Sequence, residues 1–190
     1  MQYIRGIEKY QSEKEAALTL GKFDGLHSGH ELLVEHVVET ASLNDWNSVV
    51  VAFDMRPFFQ KLNKEYDHLL TGEEKAKRLD GRIDYFVECP FVEEIAKMEA
   101  EAFIEEILIG RFHAKYIVLG TDFRFGHGRR GDGEMLKKYS EKYGYQVEIL
   151  EKKQYEGREI SSTYIKEELR KGNMELVDKL LGYSYQEHKK

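Results

Sequence analysis

The sequence is poor in several things. It holds one cysteine, Cys89, among 190 residues. A disulfide framework and a thiolate zinc site are therefore excluded, and a reducing, cytoplasmic compartment is expected. It holds two prolines, Pro57 and Pro90, and no proline-, glycine- or serine-rich tract that would read as a linker. No apolar run approaches the roughly 20 residues of a membrane span. The segment Met1 to Glu15 is polar and does not read as a signal peptide. Basic residues are not in excess: 29 Lys and Arg stand against 35 Asp and Glu, a net charge of −6 with His neutral. A general nucleic-acid binder needs a basic face to displace counterions, so that class is set aside. Phosphate-bearing small molecules are not, because a few local cations outweigh a weak overall field. What is present suffices for a packed core: 41% hydrophobic and 12% aromatic residues, in a chain of single-domain length.

Short apolar runs alternate with amphipathic stretches. The runs are Ala16–Leu20, Val49–Phe53, Asp84–Val87, Tyr116–Leu119 and Gln146–Leu150. Continuous Val/Ile/Leu runs suit strands buried on both faces of a parallel sheet. Between them, Leu33, Val34, Val37, Val38 and Ala41 share one helix face. Thr71-Gly72-Glu73-Glu74 reads as a capping box. Further helical stripes run through Phe103, Ile104, Ile107 and Leu108, ended by Gly110, and through Met135, Leu136 and Tyr139, ended near Gly144. Ile165 and Leu169 precede Gly172, and Leu176 to Leu181 precede Gly182. Strand–helix alternation predicts an α/β, Rossmann-like, doubly wound and mostly parallel sheet. One domain over residues 1–185 is expected, with Gln186–Lys190 a frayed polar tail. Right-handed crossovers place the loops after the strands along one edge, where ligands bind.

Two of those loops carry chemistry. Gly21-Lys22-Phe23-Asp24-Gly25-Leu26-His27-Ser28-Gly29-His30 follows a buried strand and opens a helix. Free amides at a helix start seat phosphate, and the glycines allow close approach. His27 and His30 are three apart and can point at one spot. Two imidazoles beside free amides suit stabilisation of charge on a phosphoryl group. Turn chemistry and surface histidines explain each feature singly, but not all of them together directly after a strand.

GKFDGLHSGH resembles the G-x-FDG-x-H-x-GH signature of the HIGH-type nucleotidyltransferases. More narrowly, it resembles the FAD synthetase module of bacterial bifunctional riboflavin kinase/FMN adenylyltransferases. The resemblance implies that His27 and His30 hold the ATP phosphates and act at the α-phosphate, with Gly21, Lys22, Phe23, Asp24, Gly25 and Gly29 around ATP. Gly120-Thr121-Asp122-Phe123-Arg124-Phe125-Gly126 is similar to the family's G-x-(D/N)-F-x-FG loop. It implies adenine or flavin contacts, with Asp122 and Phe125 toward ATP and Arg124 toward flavin. Ile160-Ser161-Ser162-Thr163-Tyr164-Ile165-Lys166 is similar to the family's Ile-Ser-Ser-Thr-x-Ile-Arg, which implies that Ser161, Ser162, Thr163 and Lys166 hold the pyrophosphate. Lys166 keeps the charge of the family's Arg but not its bidentate geometry. Hydroxyls at a helix start are also ordinary caps.

Two further patterns bear on identity. Gly126-His127-Gly128-Arg129-Arg130-Gly131 fits G-x-G-x-x-G but does not directly follow a strand, as the dinucleotide fingerprint requires. Where the family reads F-(D/E)-P-H-P, this chain has Phe53-Asp54-Met55-Arg56-Pro57. The resemblance implies a flavin site at Phe53, Asp54, Arg56 and Pro57. Arg56 either pairs with the FMN phosphate or is a solvated surface residue.

The expected activity is FMN adenylyltransfer, ATP plus FMN giving FAD and pyrophosphate. Mg²⁺ is expected to ride mainly on the ATP phosphates, and Asp24 to touch the metal shell or a ribose. A riboflavin kinase domain is not expected within these residues, so a separate riboflavin kinase would supply FMN. The rivals are a related cytidylyl- or adenylyltransferase with another acceptor, a non-catalytic flavin- or nucleotide-binding protein of this fold, and a Rossmann dehydrogenase. Gly157-Arg158-Glu159 replaces the Arg-Thr-x-Gly that cytidylyltransferases place before Ile-Ser.

Overall fold

In a computed structural model, which describes residues 1–188 and only the backbone of Glu187 and His188, six strands form one sheet. In chain order the elements are β1 (Gln2–Arg5), β2 (Ala16–Gly21), α1 (Ser28–Asn44), β3 (Asn47–Asp54), α2 (Arg56–Lys61), α3 (Gly72–Leu79) and β4 (Tyr85–Pro90). They continue with α4 (Glu93–Lys97), α5 (Ala100–Ala102), a π-wound segment Phe103–Ile109, β5 (Ala114–Gly120), α6 (Gly133–Tyr143) and β6 (Gln146–Leu150). The last are the small hairpin β7 (Gln154–Tyr155) and β8 (Arg158–Glu159), then α7 (Ser162–Lys171), α8 (Met174–Leu181) and α9 (Tyr185–His188). The sheet order is β1-β4-β3-β2-β5-β6, and every pairing in it is parallel.

That order reverses at β2. The chain moves outward one way through β3 and β4, then returns to add β5 and β6 on the other side. The loops leaving β2 and β5 therefore start side by side at the carboxyl ends of adjacent strands and run to opposite faces, the place where sheets of this kind take ligands.

The inner strands read as apolar runs because both faces are covered. Leu18, Leu20, Val49, Val51, Ile117 and Leu119 point to one face, packed with Tyr10, Phe103 and Leu108. Ala17, Val50, Phe86 and Val118 point to the other, under Val34 and Val37 of α1. The period of two is that of a strand. A third cluster joins Ile160, Ile165, Val177, Leu180 and Leu181 to Leu69, so α7 and α8 are fastened to the loop before α3.

Local signals hold where capping chemistry is explicit. Thr71 accepts from the Glu74 amide while Glu74 accepts from the Thr71 amide, as the capping box requires. Gly144, Gly172 and Gly182 end α6, α7 and α8 in left-handed backbone. Four expectations are corrected. The polar start of the chain includes an edge strand, β1. The strand expected at Asp84–Val87 runs instead from Tyr85 to Pro90. The stripe Phe103–Leu108 is buried as expected, but its hydrogen bonding is that of a π-helix. The expected tail at Gln186 begins inside α9, and Lys189 and Lys190 lie outside the described residues. Among the described residues, no helix is long and apolar enough to cross a membrane.

Candidate active site

Between β2 and α1 the chain reverses within a few residues. It does so through left-handed backbone at Phe23 (φ 47°), Gly25 (φ 86°) and Leu26 (φ 40°). For Phe23 and Leu26 this conformation is strained, and complete burial of both side chains holds it. At Gly25 a Cβ would also lie 2.7 Å from Leu69 Cδ1, so only glycine fits. The turn ends at His27, where α1 starts with no side-chain cap. Its first amides keep their partial positive charge for an outside acceptor.

His27 and His30 stack there, ring centroids 3.7 Å apart, with His30 4.9 Å from the Phe23 ring. Both Nδ1 atoms are buried with no hydrogen-bond partner. Burial pushes His27, 6% exposed, down to about 4, against the pull of Asp24. His30 is lowered as well, first by burial and then by His27 and Lys75. Both are therefore neutral imidazoles near pH 7, each with one N–H to donate.

These shifts imply acid sensitivity. An unfolded histidine titrates near pH 6.5, about 2.5 units above folded His27, so the unfolded state binds the proton first as pH falls. Stability should be level above pH 6.5 and decline toward pH 4, by about 3 kcal/mol from His27 alone. Urea midpoints of wild type and His27→Gln across that range measure it. Identical slopes would refute the burial effect.

The start of α7 faces the same loop, and it is already knitted to it. Ser161 Oγ accepts from the Tyr164 amide at 3.2 Å, so it caps the helix. Ser162 Oγ donates to Asp24 O at 2.8 Å. Thr163 alone of the three is exposed. Lys166 Nζ lies 2.6 Å from Asp24 Oδ2 and also donates to Asp67 O. Asp24 Oδ1 accepts from the Leu69 amide at 2.7 Å. Asp24, expected at a metal shell or ribose, is instead 4% exposed with both oxygens engaged inside the protein. Among the described residues, no three His, Cys, Asp or Glu side chains cluster to hold a metal ion.

The residues of the loop after β5 are engaged within the protein. Asp122 is exposed and ion-paired with Lys152 at 2.9 Å. Arg124, expected toward flavin, turns back onto the carbonyls of Thr121 and Phe123. Phe125, expected toward ATP, is a core residue. It is buried 5.4 Å from the Phe103 ring, and its backbone pairs with Gly131 in both directions. The G-x-G-x-x-G stretch forms the tip of that loop. The helix after it, α6, is capped by Asp132, whose Oδ1 accepts from the Met135 amide at 2.9 Å. A carboxylate thus occupies the place a dinucleotide's pyrophosphate would need, which removes the Rossmann dehydrogenase reading.

On the β3 side of the site, Arg56 lies at the surface, its side chain 44% exposed, but is ion-paired. Its Nε is 2.8 Å from Asp54 Oδ1, and one terminal nitrogen is 3.2 Å from Glu88 Oε1. Burial raises Asp54, and its bonds to Arg56 outweigh that and hold the carboxyl below its ordinary value. Pro57 sits in the first turn of α2. Around this segment, Phe53, Phe58, Phe59, Phe91 and Tyr66 make a chain of ring contacts, with centroids 5.0–6.1 Å apart. Some of this surface is exposed, Phe58 among it. Glu88, on β4, is buried and also accepts from Tyr3 OH at 2.7 Å. It reaches the start of α3 because residue 72 is glycine; a Cβ there would lie 2.3 Å from Glu88 Oε1.

Sequence reasoning missed Lys75, Glu88, Tyr66, His68 and Lys152. Glu88 had a signal, a charge inside the apolar run Phe86-Val87-Glu88-Cys89. Lys75 had none, being one of several charges on a short helix.

Residues 9–164 match the family model described as FAD synthetase. The bifunctional riboflavin kinase/FMN adenylyltransferase of Buchnera aphidicola (from Acyrthosiphon pisum) is 33% identical over 185 residues, covering 96% of this chain and 59% of that protein. The proteins of the same description from Haemophilus influenzae and Escherichia coli K12 are 32% and 31% identical over 189 residues. This chain thus spans about 60% of the length of such relatives. A crystal structure described as a macrolide-efflux protein from Streptococcus pneumoniae superimposes with a TM-score of 0.78 at 28% identity, over 95% of this chain and 60% of that one. With the histidine pair at the switch point and the matched model running through the sheet, the chain belongs to the FAD synthetase family.

Proposed function

We propose that this chain is an FMN adenylyltransferase. An oxygen of the FMN phosphate attacks the α-phosphorus of ATP, a new P–O bond forms, the bond to the β-phosphate breaks, and pyrophosphate leaves, giving FAD. The FMN phosphate is already anionic near neutral pH, with a second pKa of about 6, so no general base is needed. Alignment and charge stabilisation do the work. The observation that supports this best is the stacked, neutral pair His27 and His30 at the uncapped start of α1. Their N–H groups would donate to the α- and β-phosphates, and the amides of Ser28 and Gly29 would join them. Thr163 and Lys166 would meet the leaving pyrophosphate, Lys166 by turning from Asp24. Ser161 and Ser162 would serve by holding α7 in place.

The half-buried rings Phe53, Phe59, Phe91 and Tyr66 favour a planar aromatic acceptor, and the flavin would lie along them near Asp54, Arg56 and Pro57. Mg²⁺ fits as an ion carried by substrate oxygens, since the one buried carboxylate at the loop, Asp24, is spoken for. When bound it would neutralise phosphate charge. Residues 1–185 would make up the adenylyltransferase unit, and a riboflavin kinase activity outside it would supply FMN.

Incubation with FMN, ATP and Mg²⁺, followed by chromatography, should yield FAD and pyrophosphate in equal amounts. Turnover with CTP instead of ATP would assign a cytidylyltransferase. Tight flavin binding without FAD would assign a binding protein.

A further inference from the structure

Lys75, on α3, is 7% exposed. Its ammonium makes one hydrogen bond, to Lys22 O at 3.3 Å. Among the described residues no carboxylate lies within ion-pair distance of it. A buried cation without a partner is costly, and most buried lysines are paired. This one lines a narrow crevice with Asp54, Arg56, Tyr66, His68 and Glu88. It is within electrostatic reach of His30 and of Glu88, Asp54 and Asp24, and its hydrogen bond to Lys22 ties it to the histidine loop. It thus adjoins both the histidine loop and the aromatic segment, with two of its three N–H donors unused. Burial lowers its pKa, and those three carboxylates work in the opposite direction. The other cation of the crevice, Arg56, is already held by Asp54 and Glu88.

We propose that Lys75 binds the phosphate of the acceptor, donating to two of its oxygens and aiming a third at the α-phosphorus beside His30. This rests on the adenylyltransferase reading. A phosphomonoester dianion would supply the missing charge partner, which explains why an unpaired ammonium is kept in the crevice. An acceptor lacking the phosphate would make the ring contacts alone.

Flavin fluorescence titration of FMN and riboflavin tests this. Wild type should bind FMN more tightly than riboflavin. In Lys75→Met, FMN affinity should fall about 10- to 100-fold, the range for one charged hydrogen bond. Riboflavin affinity and the KM for ATP should stay unchanged, which a merely structural lysine would not produce. Wild-type protein gives a second readout: the Lys75 ¹⁵Nζ resonance should shift on adding FMN and not on adding riboflavin. A Lys75→Met protein that keeps the FMN preference, or an unmoved resonance, overturns the assignment, even where wild type makes FAD. Wild type that prefers FMN through Lys75 yet forms no FAD overturns the transferase reading and leaves the phosphate contact standing.

Discussion

His30→Ala should lower kcat by about 10²–10³-fold, the loss expected when one positioned donor is removed from a developing anion. The size follows from where His30 sits. It is on the first turn of α1, backed by the buried Phe23 ring and stacked on His27, so its donor direction is fixed before substrate arrives. Preorganised donors of this kind need no rearrangement at the moment of reaction. Because burial keeps the ring neutral, its contribution is a dipole and an N–H, not a full charge. His30→Asn, which offers a shorter amide donor, should retain more activity than Ala. Steady-state FAD formation measures both, with FMN binding as the check that the site is folded. Near-normal turnover in a folded His30→Ala protein would sink the assignment.

The second large effect concerns stability. Asp24→Ala should destabilise the protein by about 3 kcal/mol or more, the scale for breaking a buried ion pair. Asp24 and Lys166 meet at 2.6 Å with side chains 5% and 15% exposed. Removing the carboxylate strands the ammonium and leaves the Leu69 amide without its acceptor. Asp24→Asn, which keeps that acceptor, should cost less. Lys166→Met in the Asp24→Ala background should recover part of the loss, because it removes the stranded charge. Urea denaturation of the two single variants and the double variant gives the coupling. Strict additivity would show that the pair contributes nothing as a pair.

The central sheet was legible because β2, β3 and β5 are covered on both faces, which makes each a nearly unbroken apolar run; β6, at the edge, showed only alternating apolar residues. β1 was not legible, since only Ile4 of its four residues is buried and an edge strand that short has no pattern to read. The π-winding of Phe103–Ile109 was hidden for another reason. The same side chains are buried whichever way the backbone hydrogen bonds shift. At the site, His27 and His30 were legible because a helix start converts a spacing of three into a shared direction. The fates of Asp24 and Phe125 were not, because each is decided by a partner far away in the chain: Lys166 and Phe103. A motif tells which residues occur together. It does not tell which of them face the ligand and which hold the others in place.

The knot around Asp24 and Gly25 also bears on how the protein comes into being. The signature loop is tied down by Ser162, Lys166, Leu180 and Tyr183, across 138 to 158 positions of chain. During synthesis the loop leaves the ribosome early and waits for those anchors through the making of most of the remaining strands. Contacts over such separations form late and slowly. The strained turn at Phe23 and Leu26 thus has its full set of anchors only once the last helices have docked. A nascent chain can therefore own most of its sheet while its signature loop still lacks those anchors.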